Sequence, residues 1–320
     1  MTRSSIILLI VAASLIVVGL IIMAIGIGFV DFDVRKLSSS QYVTNTYVID
    51  KDFSDICMEK TSADVRFVLS DNGQSKVVCY ETDRVYHSVT VEDGVLRVSE
   101  NDTREWYHHI GFFWDKAQLT VYVTEADLGE LLAKTDVGDI TLPCGLSFEK
   151  VDVTATTGDV EIRSEVKGEV AVRTSTGDVT LEGIQPESIK VHTTTGYVEI
   201  SSVHTAESVD IEVDTGDVEL DGVTCKSINC KSDTGKIECE DVKATDTAVL
   251  SSDTGDVVLE RFDASSIQIK TSTGDVLGTL LSGKTFLTQT DTGEVDVPHN
   301  TEGGICSVTT VTGDIHLRTP

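Results

Sequence analysis

The stretch TTGDVEIRS, residues 156–164, is repeated along this chain with small changes. Close copies are STGDVTLEG at 175–183, DTGDVELDG at 214–222, DTGDVVLER at 253–261 and STGDVLGTL at 272–280. The turn glycines of ten such units lie 19 or 20 residues apart throughout: Gly138, Gly158, Gly177, Gly196, Gly216, Gly235, Gly255, Gly274, Gly293 and Gly313. A fixed period of this length indicates a repeat architecture.

Apolar residues occupy fixed positions around each turn glycine. The position two residues after it is always Val or Ile, and the position seven before it is always apolar. Between these positions apolar and polar residues alternate, which predicts two strands per unit, each with one buried face. The alternation slips by one residue at the Thr-Gly pair, so we predict a corner there. A further apolar position seven residues after the glycine suggests a third, less regular side: Ile184, Val203, Val223, Val242, Phe262 and Leu281.

A unit of this size cannot bury its apolar face alone, whereas stacked units can. The predicted fold is therefore all-β: a parallel β-solenoid (single-stranded β-helix) of about ten coils of 19–20 residues, spaced about 4.8 Å apart. An irregular β cap and one N-terminal transmembrane helix precede it. In the corner, glycine permits positive φ and the following Asp can accept backbone N–H bonds. We therefore interpret the TGD motif primarily as a structural element that forms the corner.

The composition narrows the classes of partner. The 320 residues carry a formal net charge of −28, which argues against nucleic acid and against anionic lipid head groups. The seven cysteines are scattered without a CxxC pair, so we expect small buried side chains rather than a metal knuckle.

The first thirty residues differ from the rest. Residues 6–30 carry no charge, and as a helix they would reach roughly 37 Å, more than a hydrocarbon core of about 30 Å. We interpret residues 1–30 as an uncleaved anchor in the lipid bilayer; a cleaved signal peptide and a buried helix are the alternatives. The short N-terminal tail predicts a single-pass protein of the cell membrane with its C-terminal domain outside the cytoplasm. Residues 31–46 then form a polar stalk.

Residues 47–127 are rich in predicted strands but lie outside the repeat register, and we interpret them as an atypical β cap over the solenoid, residues 128–320. Residues 89–99, VTVEDGVLRVS, predict a hairpin around Asp93-Gly94. The aromatic segment 104–114 is either a plug in the cap or an exposed surface, which would use Trp106, Tyr107 and Trp114. The last coil, TGDIHLRTP, has no obvious cap, which leaves its edge open to self-association.

One acidic patch is a candidate cation site. It comprises aspartates of neighbouring coils that offer the hard oxygen ligands calcium prefers: Asp214, Asp217, Asp233, Asp253 and Asp256. Lys236 lies among them and could neutralise them instead. We expect no other cofactor and no catalytic residues, because coils of this length leave no room for the loops that build a cleft.

The recurring TTGDV and STGDV corners, the SADVRF stretch and the DGVLRV hairpin resemble the bacterial "putative adhesin" family of β-strand-repeat domains of unknown function. The resemblance covers residues 47–320 and implies an N-terminal membrane segment followed by a repeat domain, with no functional residues to carry over. We therefore expect a non-enzymatic, membrane-anchored, extracytoplasmic β-solenoid that binds an envelope protein or glycan. A scaffold that polymerises through its solenoid ends, and an accessory to an envelope-stress sensing system, remain as alternatives.

Overall fold

The computed structural model describes residues 3–29, 42–105, 116–299 and 302–320. The first element is helix α1 (Arg3–Phe29), and all other elements in these ranges are strands. Among the described residues, no helical stretch is both long and apolar enough for a membrane span. The transmembrane anchor therefore stays a prediction from the sequence.

Within the described ranges, twenty-seven strands follow the helix. The first seven are β1 (Tyr42–Ile49), β2 (Asp55–Thr61), β3 (Asp64–Leu69), β4 (Ser75–Thr82), β5 (Val85–Glu92), β6 (Val95–Asp102) and β7 (Gln118–Val123). The next eleven are β8 (Asp127–Val137), β9 (Ile140–Leu142), β10 (Ser147–Thr157), β11 (Val160–Ile162), β12 (Glu165–Val166), β13 (Glu169–Thr176), β14 (Val179–Glu182), β15 (Ser188–Thr195), β16 (Val198–Ser201), β17 (Ser208–Thr215) and β18 (Val218–Asp221). The last nine are β19 (Thr224–Thr234), β20 (Ile237–Glu240), β21 (Lys243–Thr254), β22 (Val257–Thr273), β23 (Val276–Leu280), β24 (Lys284–Thr292), β25 (Val295–Asp296), β26 (Gly304–Thr312) and β27 (Ile315–Arg318).

The parallel β-solenoid predicted from the repeat is confirmed. Strands that end just before a corner stack in parallel as the pre-corner sheet, in the spatial order β6-β2-β8-β10-β13-β15-β17-β19-β21-β22-β26-β24. Strands that start just after a corner form the post-corner sheet, in the order β7-β3-β9-β11-β14-β16-β18-β20-β22-β23-β27-β25. The long strand β22 takes part in both sheets.

The predicted apolar columns form the core between the sheets. Val170 lies between Val151 and Ile189 in the ladder, and all three are 0% exposed. The third side is also present, because Val203, Val223, Val242 and Phe262 are fully buried. At its far end Leu280 is buried in place of the predicted Leu281, because the register shifts between Leu259 and Phe262, opposite Gly278.

The corners require glycine on two grounds. The ten corner glycines have φ between +132° at Gly138 and +158° at Gly196, where side chains are strained. Each also lies against the corner of a neighbouring coil, so a Cβ at Gly158 would overlap the carbonyl oxygen of Gly138. The glycine column therefore reflects both backbone conformation and close coil stacking.

Antiparallel strands close the N-terminal end. β1 pairs with β4, β4 with β7, and β5 with β6, and the predicted hairpin turns at Asp93 and Gly94 with φ of 51° and 78°. β1 starts at Tyr42, inside the segment interpreted as a stalk, while residues 30–41 lie outside the described residues. β2 and β3 form a further coil of the stack, with Ala63 at the corner below Gly138.

The C-terminal end differs from the prediction. The final strands β26 and β27 do not form the open edge; they insert between β22/β23 and β24/β25. The outermost coil is therefore β24/β25, and the prediction that the last coil, TGDIHLRTP, forms the open edge is wrong. Thr288 of this outermost coil is half-buried, although its partner Val308 in β26 is an apolar core residue. A polar residue is tolerated there because no further coil from the described part of the chain packs on it.

Candidate binding surface

The aspartates of the TGD corners have a structural role. The Oδ1 atom of each accepts the backbone N–H of the equivalent residue in the next coil, as in Asp159 N to Asp139 Oδ1 at 3.0 Å and Asp178 N to Asp159 Oδ1 at 2.8 Å. On either side of this residue the corner keeps backbone hydrogen bonds between coils, as in Gly158 N to the Thr176 carbonyl and Val160 N to the Asp178 carbonyl, both at 2.9 Å. The predicted turn hydrogen bond thus joins successive coils.

Tyr197 and Lys236 interrupt this aspartate column. Each still donates its backbone N–H to the aspartate below, at 2.7 Å. Their side chains turn outward: Tyr197 donates its hydroxyl to Glu219, and the Lys236 ammonium lies 2.6 Å from Glu238. Burial and the bond to Glu219 raise the pKa of Tyr197 above its usual value.

The structure does not gather the five aspartates of the predicted cation patch into a compact group. Asp217 and Asp256 use Oδ1 to accept the N–H of Lys236 and Asp275, and Asp233 pairs with Lys231 at 2.9 Å. Asp214 is half-buried and Asp253 exposed. Among the described residues, the one group of three or more metal-ligating side chains with atoms within 4.8 Å is Cys79, Glu81 and His87, in the cap. Calcium binding by the aspartates stays a prediction.

The aromatic candidates Trp106, Tyr107 and Trp114 lie outside the described residues. Six of the seven cysteines are buried, as expected, and burial raises the pKa of Cys225, Cys230 and Cys306 to about 12. Cys144 is exposed.

The outer surface of the pre-corner sheet carries a groove of about 460 Å³. Its polar side chains form two rows across consecutive coils. One row runs Arg173, His192, Glu212, Lys231 and Ser251, and the other runs Lys190, Asp210 and Asn229. The register of the strands fixes the spacing of both rows at about 4.8 Å. We call this surface the charged groove.

Charges of opposite sign are paired within and beside the charged groove. Arg173 lies 3.5 Å from Asp152, Lys190 lies 2.7 Å from Glu169, and Lys231 lies 3.5 Å from Glu212. The bond from Lys190 lowers the pKa of Glu169. The arrangement offers donors and acceptors in turn, which suits a polar polymer better than a strongly charged one.

The outer surface of the post-corner sheet is acidic by contrast. Glu199, Glu219 and Glu238 are aligned in register on three coils, and so are Asp221, Glu240 and Glu260. The molecule therefore has one acidic face and one face of mixed charge. The alternating pattern of the sequence predicts that the charged residues of both sheets face outward. Only the strand register shows which of these charges are neighbours.

Comparison with known proteins identifies the repeat. The family model described as Toastrack DUF4097 matches residues 53–208 and 204–320, which is most of the chain. Among proteins with a curated description, none is significantly similar to this chain.

Solved structures share the fold. A "putative adhesin" and a "putative lipid binding protein", both from Parabacteroides distasonis ATCC 8503, each align with a TM-score of 0.51 and 15% identity over 87% of this chain and 98% of theirs. A "putative adhesin" from Parabacteroides merdae ATCC 43184 aligns with a TM-score of 0.48 and 15% identity, over 88% of this chain and 98% of that one. At 15% identity the two Parabacteroides distasonis structures show the fold alone.

Proposed function

Because the chain belongs to the Toastrack DUF4097 family, whose fold is a rod of stacked coils, we propose that it is a non-enzymatic binding protein of the cell envelope. In this proposal α1 and the uncharged stretch 6–30 tether the rod to the membrane, and the repeat domain lies outside the cytoplasm. The charged groove binds an envelope glycan.

The charged groove is the observation that carries this proposal. It spans five coils, so it matches an extended polymer rather than a small molecule. The paired charges of Arg173, Lys190 and Lys231 leave N–H donors beside carboxylate acceptors, the combination that sugar hydroxyl groups can satisfy. The net charge of −28 makes an anionic polymer the less suitable partner.

The test uses the full chain in neutral detergent and purified cell-wall glycan as the probe. We expect co-sedimentation with the glycan, and we expect the double substitution Arg173→Ala and Lys231→Ala to weaken it by at least about tenfold, or ~1.4 kcal/mol. Lys226→Ala is the matched control, because Lys226 is also an exposed lysine paired with a glutamate, Glu207 at 3.1 Å, but lies outside the groove. Equal binding by wild type and the double variant would refute the groove as the site.

The outermost coil supports a second candidate function, self-association into a scaffold. No strand of the described residues pairs with the outer edge of β24. Leu287 and Val295 of this coil are 56% and 41% exposed, and unpaired apolar edges favour strand addition. Sedimentation of the full chain in detergent would show concentration-dependent oligomers that Leu287→Lys abolishes. A chain that stays monomeric at high concentration would exclude the scaffold.

A further inference from the structure

Three metal-ligating side chains meet inside the cap. Cys79 and Glu81 lie on the inward side of β4, and His87 lies on the neighbouring strand β5. They are 0%, 1% and 2% exposed, and their ligand atoms are all within 4.8 Å of one another. No feature of the repeat uses this cluster, because it lies outside the stacked corners.

Hydrogen bonds hold Glu81 and His87 in fixed positions. The Oε2 atom of Glu81 lies 2.9 Å from Nδ1 of His87 and accepts the backbone N–H of His87 at 2.7 Å. The Oε1 atom accepts Nδ2–H of Asn45 at 2.7 Å. The carboxylate and the imidazole are therefore oriented toward each other by groups on β1 and β5, which is the preorganisation that a binding site needs.

The donor set suits a zinc ion. Thiolate, imidazole and carboxylate are the usual zinc ligands, with bonds of about 2.0–2.3 Å that place ligand atoms roughly 3.3–3.8 Å apart in a tetrahedron. To reach that range the 2.9 Å separation between Glu81 Oε2 and His87 Nδ1 must open, and the wider separations, none above 4.8 Å, must close. Three protein ligands leave a fourth position for water.

Thr61 provides the outer contact that such a site requires. Its Oγ1 lies 3.0 Å from Nε2 of His87, while the other ring nitrogen, Nδ1, lies against Glu81. A metal-bound histidine commonly donates its other N–H to an oxygen, which fixes the ring tautomer. A hydroxyl can donate or accept, so Thr61 serves His87 in either tautomer.

We propose that Cys79, Glu81 and His87 bind a divalent zinc-class ion that fastens the cap onto the first coil. The ion replaces the proton between Nδ1 of His87 and Glu81. The imidazole proton then resides on Nε2 and points at Thr61, and the Cys79 thiol releases one proton to solvent. The ion joins β4 to β5 directly, and Thr61 connects the site to β2, where its carbonyl accepts Thr135 Oγ1 at 2.9 Å.

Zinc and cobalt titrations of the full chain, freed of metal by a chelator and kept in neutral detergent, test the site. We expect one ion per chain, a higher thermal unfolding midpoint with zinc, and the thiolate-to-cobalt charge-transfer absorption with cobalt. Cobalt binding without that absorption would overturn the proposal without recourse to any variant. Failure of the metal-free chain to take up either ion would overturn it as well.

Substitutions distinguish metal binding at this site from adventitious metal binding on the surface. Cys79→Ser should remove the charge-transfer absorption, and Thr61→Val should weaken zinc binding by about 10–100-fold, the usual cost of losing an outer contact. His316→Gln is the control, because His316 lies near Asp296 and Asp314 on the surface and would be the adventitious alternative. Loss of binding in His316→Gln, or wild-type binding in both Cys79→Ser and Thr61→Val, would refute the assignment.

Discussion

The corner glycine is the residue on which stacking depends most directly. Gly177 has φ of +151°, and a Cβ there would overlap the carbonyl oxygen of Gly158. We expect Gly177→Ala to lower the free energy of unfolding by about 2–4 kcal/mol, because backbone strain and coil separation both contribute. Urea unfolding of the full chain in neutral detergent measures the change.

Gly183 supplies the matched control within the same coil. Its φ is +68°, but nothing lies within 4 Å of a Cβ added there. Gly183→Ala should therefore lower the free energy of unfolding only through backbone strain, by about 1–2 kcal/mol. Equal losses in the two variants would show that coil contact adds nothing at the corner.

The corner aspartate makes a different contribution, a hydrogen bond from coil to coil. Asp178 accepts the backbone N–H of Tyr197 at 2.7 Å. We expect Asp178→Ala to lower the free energy of unfolding by about 1 kcal/mol, the usual net value of such a bond. Asp178→Asn keeps an oxygen acceptor and removes one charge from an acidic column, so it should retain most of the stability. A larger loss in the asparagine variant would mean that charge, not the acceptor, matters.

The order of the C-terminal coils has a measurable consequence for β24 and β26. β26 is paired on both sides, with β22 and β24, whereas β24 is paired on one side only. Hydrogen exchange should therefore be slower at Cys306 and Val308 than at Leu287 and Gln289, although β26 is nearer the chain end. Exchange that quickens steadily toward residue 320 would contradict the inserted arrangement.

The elements show what the sequence could predict and what it could not. Alternation around Gly177 predicted the strands, their inward residues and the corner, because each follows from the local pattern. The insertion of β26 was not predictable, because a 20-residue spacing from Gly293 to Gly313 is the same whichever neighbour the coil joins. The Cys79 cluster was missed because its members come from β4 and β5, which lie outside the repeat register and belong to different sheets, so no local pattern places them together.

For the whole molecule, the main electrostatic feature is the separation of charge between two faces. The ladder of Glu199, Glu219 and Glu238 repeats like charge along the post-corner face, while the pre-corner face pairs opposite charges. Such ladders cost stability through repulsion, which Arg261 relieves locally by contacting Glu240, Asp241 and Glu260. Self-repulsion therefore arises mainly on the post-corner face, whereas the charged groove lies on the face whose charges are paired.

This balance predicts how stability depends on pH and salt. At pH 7 the net charge of −28 destabilises the folded chain through repulsion between like charges. This repulsion weakens as the pH approaches the isoelectric point near 4.4. The pKa values of Glu169, Asp241 and Asp296 are lowered by Lys190, Arg261 and Arg318. A lowered pKa contributes stability that is present above the unfolded value, about 4, and is lost as the pH falls through the folded value.

Stability should therefore be greatest near pH 5, between the relief of repulsion and the loss of these pairs. Salt screens repulsion, so raising NaCl from about 20 to 200 mM at pH 7 should raise the thermal unfolding midpoint by at least ~2 °C, the shift that about 1 kcal/mol gives in a large domain. The same salt step at pH 5 should have little effect, because most of the repulsion is already gone. Thermal unfolding of the full chain in neutral detergent, with a chelator present throughout, provides the measurement. A thermal unfolding midpoint that falls with salt at pH 7 would mean that the ion pairs of the charged groove stabilise the fold more than the acidic ladders destabilise it. That result would contradict this prediction.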